Sequence, residues 1–146
     1  MELKVKRIDK SVPMPRYANE GDAGFDLRCT EGVTIQPNET VIVGTGIAVE
    51  VPDGHVGLCF PRSGMASHRD VSLANCVGVV DAGYRGEVKA PLHNIGVVEQ
   101  VVAEHERVFQ MVVIPFDTCE FVEVEELSET ERGQGGFGSS GTGLEA

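Results

Sequence analysis

Apolar and polar residues alternate along most of this chain with a period of two, the spacing that places every second side chain on one face of a strand. Leu3 and Val5 alternate with Lys4 and Lys6 in a first strand, which Val12-Pro13-Met14-Pro15 breaks. Asp22-Ala23-Gly24-Phe25-Asp26-Leu27 leads into another strand, and Thr34 to Glu39 is rich in turn formers. Val41, Val43, Ile47, Val49 and Val51 then keep the period across Gly44 and Gly46, which predicts one strand with a bulge. After the tight Pro52-Asp53-Gly54-His55 connection and Val56 to Phe60, Pro61 to Arg69 predicts one short helix with Ser63 near its N-cap. Leu73 to Val80 returns to strand. Gly78 to Glu87, followed by Val88, Ala90 and Leu92, predicts a β-hairpin. Glu104 to Arg107 makes a polar turn between two strands in the apolar stretch Val97 to Pro115. Val122 and Val124 alternate with Glu123 and Glu125, predicting a last strand over Glu120 to Glu126 with its glutamates in water.

Many short strands, frequent glycine and proline turns and at most one helix imply an all-β fold of barrel or jelly-roll type. The composition changes at Ser128, so residues 1–127 are expected to form the β domain. Residues 128–146 are expected to form a flexible, glycine-rich C-terminal arm belonging to the same domain.

At 146 residues the chain suits a single domain. With no Trp and few aromatics, aliphatic side chains must fill the core. The formal charge of −11 repels nucleic acid and anionic membranes, and no stretch approaches the ~20 apolar residues of a membrane span. The charged N-terminus has no signal-peptide pattern. Cys29, Cys59, Cys76 and Cys119 lie far apart, and His55, His68, His93 and His105 lack zinc-ligand spacing. The cysteines therefore read as buried, reduced thiols of a cytoplasmic protein.

Three stretches can carry chemistry. Asp81 ends the apolar run Gly78-Val79-Val80 and stands close to Tyr84, an arrangement for a general base beside a planar ligand. The same residues also describe an Asp-Ala-Gly turn whose carboxylate caps its own backbone. Arg62, Ser63 and the helix start offer an anion site, or an ordinary cap with a surface arginine. The tail from Arg132 to Gly143 either wraps phosphates, with Phe137 stacking on a base, or is a solvated arm. Asp22 suits a turn. Asp26 lies between Phe25 and Leu27 and needs a partner, a cation or a hydrated metal.

Together these stretches resemble the homotrimeric deoxyuridine triphosphatases (dUTPases). The motifs are Ala23-Gly24-Phe25-Asp26-Leu27, Pro61-Arg62-Ser63-Gly64-Met65-Ala66, Asn75 through Gly78-Val79-Val80-Asp81-Ala82-Gly83-Tyr84-Arg85-Gly86-Glu87, Glu106-Arg107-Val108-Phe109-Gln110, and Arg132 through Gly141. They stand in the family's order and span nearly the whole chain. The resemblance implies a distorted jelly-roll barrel, a homotrimer with active sites shared between subunits, and Mg²⁺-dependent hydrolysis of dUTP to dUMP and pyrophosphate. This would limit uracil in DNA and supply dUMP for dTMP synthesis. It implies that Asp81 activates the water attacking the α-phosphorus and that Tyr84 packs under the deoxyribose. Asn75, Gly78 and Val80 would read uracil, while Asp26 would hold Mg²⁺ through water. Arg62, Ser63, Gly64 and Gln110 would meet phosphates. Phe137 would stack on uracil as Arg132, Gly138, Ser139 and Ser140 close over the β/γ end.

The chain departs from that family's usual pattern at Gly83, at His105, where a glycine is common, at Phe109, which replaces a small residue, and at Ala90-Pro91. Proline removes a ladder donor and puts local pairing in question. Arg107 reads as an ion-pair partner, and the role of Arg85 is open. The alternatives are a dCTP deaminase-related or bifunctional enzyme, which would need a Glu acid/base near the pyrimidine C4 where this stretch offers Asp81 and Tyr84, and a dUTPase-like nucleotide-sensing module.

Overall fold

The computed structural model describes residues 1–137 and residue 139. Eleven strands and one helix follow in the order β1 (Lys4–Arg7), β2 (Gly24–Arg28), β3 (Val33–Ile35), β4 (Thr40–Gly44), β5 (Ile47–Glu50), β6 (His55–Pro61), α1 (Ser63–Arg69), β7 (Val71–Leu73), β8 (Gly78–Val80), β9 (Lys89–Asn94), β10 (Gln100–Val102) and β11 (Arg107–Pro115). All pairings are antiparallel. A four-stranded sheet runs β2-β11-β6-β8 and a three-stranded sheet runs β4-β9-β7, with two-stranded ribbons β1-β5 and β10-β3. This is the all-β, jelly-roll-like architecture with one short helix that the alternation predicts. No helix among the described residues is long and apolar enough to cross a membrane.

The core is aliphatic, as a chain without Trp requires. Leu27, Ile35, Ile47, Leu92, Met111 and a set of valines are fully buried around a single large ring, Phe109. Period-two alternation decides which face each residue serves. Phe25 and Leu27 of β2 are buried while Asp26 between them turns outward. Phe109 and Met111 of β11 are buried while Gln110 turns the same way as Asp26, its partner in register.

Local patterning misjudged several connections. The run from Val41 to Val51 is two strands in different sheets. Gly46, at φ +64°, turns the chain out of the three-stranded sheet and into the ribbon with β1. Leu73 to Val80 is likewise interrupted, by a turn in which Cys76 takes φ +60°. The expected hairpin does not form, because β8 pairs with β6 while β9 lies between β4 and β7. Residues 81–88 therefore bridge two sheets rather than capping a ribbon. Glu120 to Glu126 forms no strand in this chain, and Phe121 is 96% exposed. Cys76 and Cys119 are exposed, although Cys29 and Cys59 are buried as expected.

Pro91 sits in the central strand β9 without breaking it. Its carbonyl accepts the Ala74 N–H at 2.8 Å, one residue past the end of β7. A residue's N and O point to the same side of a strand, so the missing donor faces a place where β7 has already stopped.

Candidate functional site

Two cavities gather most of the residues singled out by the sequence. The first, about 250 Å³, is walled by Asn75, Gly78, Val80, Asp81 and Tyr84, with Phe109 and Cys59 deeper in. Val80 is the buried last residue of β8, and Asp81 emerges from it exposed at the rim. The loop beyond closes on itself. The Tyr84 N–H donates to the Asp81 carbonyl at 3.0 Å, and the Tyr84 hydroxyl donates to the Glu87 carbonyl at 2.9 Å. The phenol ring lies where a side chain on Gly86 would be, so only glycine fits there. Arg85, whose role the sequence left open, donates to the carbonyls of Ala82 and Tyr84 at 2.5 and 2.9 Å and so braces the same turn. A Cβ on Gly78 would stand 3.2 Å from the Cys59 Cβ and 3.5 Å from the Asn75 Nδ2, so this wall too is set by backbone packed close to a neighbour. Burial pushes the Cys59 thiol up to about 12, which keeps it protonated and unreactive.

Two departures from the family pattern meet in this cavity. Phe109 fills space from β11 while Ala90 and Pro91 wall it from β9, so the large ring lies opposite small side chains. His105 stands at φ +61°, the left-handed conformation that glycine adopts most readily.

The second cavity, about 420 Å³, is lined by Asp22, Asp26, Arg62, Ser63, Arg107 and Gln110. Asp26 takes a cation on each oxygen, with Arg62 Nε at 2.9 Å on Oδ1 and Arg107 Nη1 at 3.0 Å on Oδ2. The ion-pair role read for Arg107 therefore holds, and the partner that Asp26 needed is a pair of guanidinium groups. Arg62 Nη1 also donates to the Arg107 carbonyl at 3.3 Å, and Gln110 Nε2 donates to the Pro61 carbonyl at 3.2 Å. The N-cap of α1 is Arg62, and Ser63 stands next to it as expected. Ser63 is the first helical residue and makes no capping bond. Ser63 and Gly64 are both exposed, and nothing crowds the position of a Cβ on Gly64. Asp22 accepts the Asn19 N–H at 2.7 Å, the turn role expected of it.

The two cavities have no residue in common. Phe109 walls the first and Gln110 the second, and as neighbours on one strand they face opposite sides of the four-stranded sheet. Of the arm, Arg132 Nε donates to the Gly135 carbonyl at 2.9 Å, and Phe137 is fully exposed. Neither lines either of the two cavities, nor does Ser139. Gly138 and Ser140 lie outside the described residues.

No group of three His, Cys, Asp or Glu among the described residues is placed to hold a metal. Asp26 alone remains as a candidate, through water. Sequence reading passed over Thr45, which is wholly buried with a bonded hydroxyl, and the side chain of Glu87, which bonds the Gly46 N–H. Thr45 stands between Gly44 and Gly46, and nothing in those neighbours signals its bond.

Residues 10–141 match the family model described as dUTPase. A deoxyuridine 5'-triphosphate nucleotidohydrolase of Nocardia farcinica is 48% identical over 140 residues, covering 95% of this chain and 85% of the relative. Among solved structures, a mutant of the Staphylococcus bacteriophage 80alpha dUTPase with dUpNHpp superposes with a TM-score of 0.90 at 31% identity, covering 96% of this chain and 98% of that one. A mutant dUTPase from phage phi11 of S. aureus, described as revealing the coordination of a structural Mg(II) ion, gives a TM-score of 0.80 at 26% identity over 86% and 98% of the two chains.

Proposed function

The chain belongs to the dUTPase family, and from that premise we propose that it hydrolyses dUTP to dUMP and pyrophosphate, with Asp81 activating the attacking water. The observation that carries the reading is the division of labour between the two cavities. One is a small pocket walled largely by backbone and apolar groups, with Asp81 exposed at its rim and Glu87 also in its lining. The other gathers two arginines and a glutamine beside Asp22 and Asp26, a cluster of donors in a protein of net charge −11.

In this mechanism Asn75 and the backbone at Gly78 and Val80 hold the base, and the Tyr84 ring packs against the sugar. Arg62, Ser63, Gly64 and Gln110 take phosphate oxygens, and Asp81 accepts the proton of the attacking water. Little covalent work falls to the protein, so positioning and charge neutralisation supply most of the acceleration. The analogue dUpNHpp bound to a structural relative supports a deoxyuridine triphosphate as the substrate.

Because the pocket and the patch lie on opposite faces of one sheet, a single ligand meets both only if a second copy supplies one of them. This supports a homotrimer with shared sites. The arm, residues 128–146, would reach a neighbour's site, since about 15 extended residues span roughly 50 Å. There Phe137 would stack on uracil, and Arg132, Gly138, Ser139 and Ser140 would meet the β/γ end.

Mg²⁺ fits this arrangement only as a guest of the triphosphate. Asp26 belongs to no metal-holding cluster among the described residues and both its oxygens hold arginines, so it can take a hydrated ion through water but cannot cage one. When bound, the ion neutralises phosphate charge and lets an acidic protein accept a polyanion. The four free cysteines suit a reducing cytoplasm. Pyrophosphate release from dUTP, measured against dTTP, dCTP and UTP with and without Mg²⁺, tests the proposal. Equal turnover of all four nucleotides, or none of dUTP, overturns it.

A further inference from the structure

We infer that Glu87 and Thr45 are positioning residues that fix the loop bearing Asp81 and Tyr84 by tying it to the turn between β4 and β5. The inference rests on the dUTPase reading above. Most of residues 81–85 are exposed, Tyr84 to 45%, so apolar packing does little to locate them. The loop is instead anchored at its far end. The Gly46 N–H donates to Glu87 Oε1 at 2.8 Å. The Thr45 hydroxyl, wholly buried, donates to the Val88 carbonyl at 2.6 Å, and the Val88 N–H donates to the Ile47 carbonyl at 2.8 Å. From this anchor the Glu87 carbonyl holds the Tyr84 hydroxyl at 2.9 Å.

The turn that provides the anchor is itself fixed. The Ile8 and Asp9 N–H groups donate to the Gly46 carbonyl at 2.7 and 3.2 Å. Gly46 holds φ +64°, and a Cβ there would stand 2.8 Å from the Asp9 Cβ. A Cβ on Gly44 would come within 2.5 Å of Glu87 Oε1, so the carboxylate occupies a slot that glycine leaves open. A carboxylate accepting a backbone N–H makes a strong, directional bond. Removing it frees the end of a loop whose other end is only a three-residue strand. The Tyr84 ring, which in that reading leaves no room for a ribose 2′-hydroxyl under the sugar, and the Asp81 carboxylate then lose their fixed separation, and with it both turnover and discrimination against a ribose.

The test combines steady-state kinetics on dUTP and UTP with hydrogen exchange at the Gly46 amide in the full-length protein. Glu87→Ala should speed Gly46 exchange, lower kcat/KM for dUTP by about 10- to 100-fold and narrow the dUTP-to-UTP ratio, since displacements near 1 Å cost up to that much. Glu87→Gln keeps an oxygen that accepts the Gly46 N–H and should stay within about threefold of the parent. Thr45→Val strands the Val88 carbonyl and should move the ratio the same way, so it decides the matter if Glu87→Ala fails to fold. An unchanged ratio in Glu87→Ala or Thr45→Val, or a loss in Glu87→Gln as deep as in Glu87→Ala, overturns the inference. A parent enzyme inactive on dUTP overturns the nucleotide reading and the positioning role with it, whereas slow Gly46 exchange in that protein would still report the anchor.

Discussion

Asp26 Oδ1 accepts Arg62 Nε at 2.9 Å, with both side chains about three-quarters buried. The carboxylate thus sets the direction of the guanidinium at the edge of the phosphate patch. Asp26→Asn should lower kcat/KM for dUTP by about 10- to 100-fold through the misplaced cation. It should also raise the Mg²⁺ concentration needed for half-maximal rate. A Mg²⁺ titration of the variant checks this, and an unchanged midpoint would remove Asp26 from the metal's surroundings.

Asp81→Asn should cost about 10²–10⁴ in turnover while leaving the affinity for dUpNHpp nearly intact, because the amide binds but does not take a proton. The same variant tests the sharing of sites. Co-expressed with Arg62→Ala, it should recover about a quarter of parental activity, because in random cyclic trimers one junction in four joins an intact pocket to an intact patch. Zero recovery would mean that each chain completes its own site.

Ending the chain after Glu131 should leave folding unaffected and sharply reduce turnover. Neither the pocket nor the patch of the chain itself includes Arg132, Phe137 or Ser139. Circular dichroism and pyrophosphate release measured together separate the two effects. A truncated protein with full activity would remove the arm from the mechanism.

At pH 8 iodoacetamide should label Cys76 and Cys119 of the native protein and spare Cys29 and Cys59, as counted by mass spectrometry. Burial raises both of the latter thiols, Cys59 to about 12 from 9.0. A thiol pKa higher in the folded state means that folding retains the proton. The associated stability is fully present below pH 9 and falls as the pH climbs toward 12. Alkaline unfolding should therefore coincide with the appearance of Cys59 adducts.

Sequence patterning succeeded wherever a residue's role depends on its own neighbours. β2, β11 and α1 stand close to where alternation and the Pro61-Arg62-Ser63 break put them. The demand of Asp26 for a partner was equally visible, because a charge between Phe25 and Leu27 cannot stand alone. Patterning failed where the role depends on a distant partner. β8 and β9 read as one hairpin because alternation reports a strand and its faces but not what lies beside it. Gly46 read as a bulge because neither its positive φ nor the closeness of Asp9 and Thr30 shows in its neighbours along the chain. Thr45 carries no local mark of its bond to Val88, 43 positions away.

The segment after β11 offers Phe121, Val122, Val124 and Leu127 to water at exposures between 55% and 96%. No described residue buries these side chains, and glutamates alternate with the valines among them. Such a segment makes cohesion a matter of dosage. If sister copies are what shelter it, the melting temperature should climb with protein concentration and sag on dilution, as mass action requires when folded partners stabilise one another.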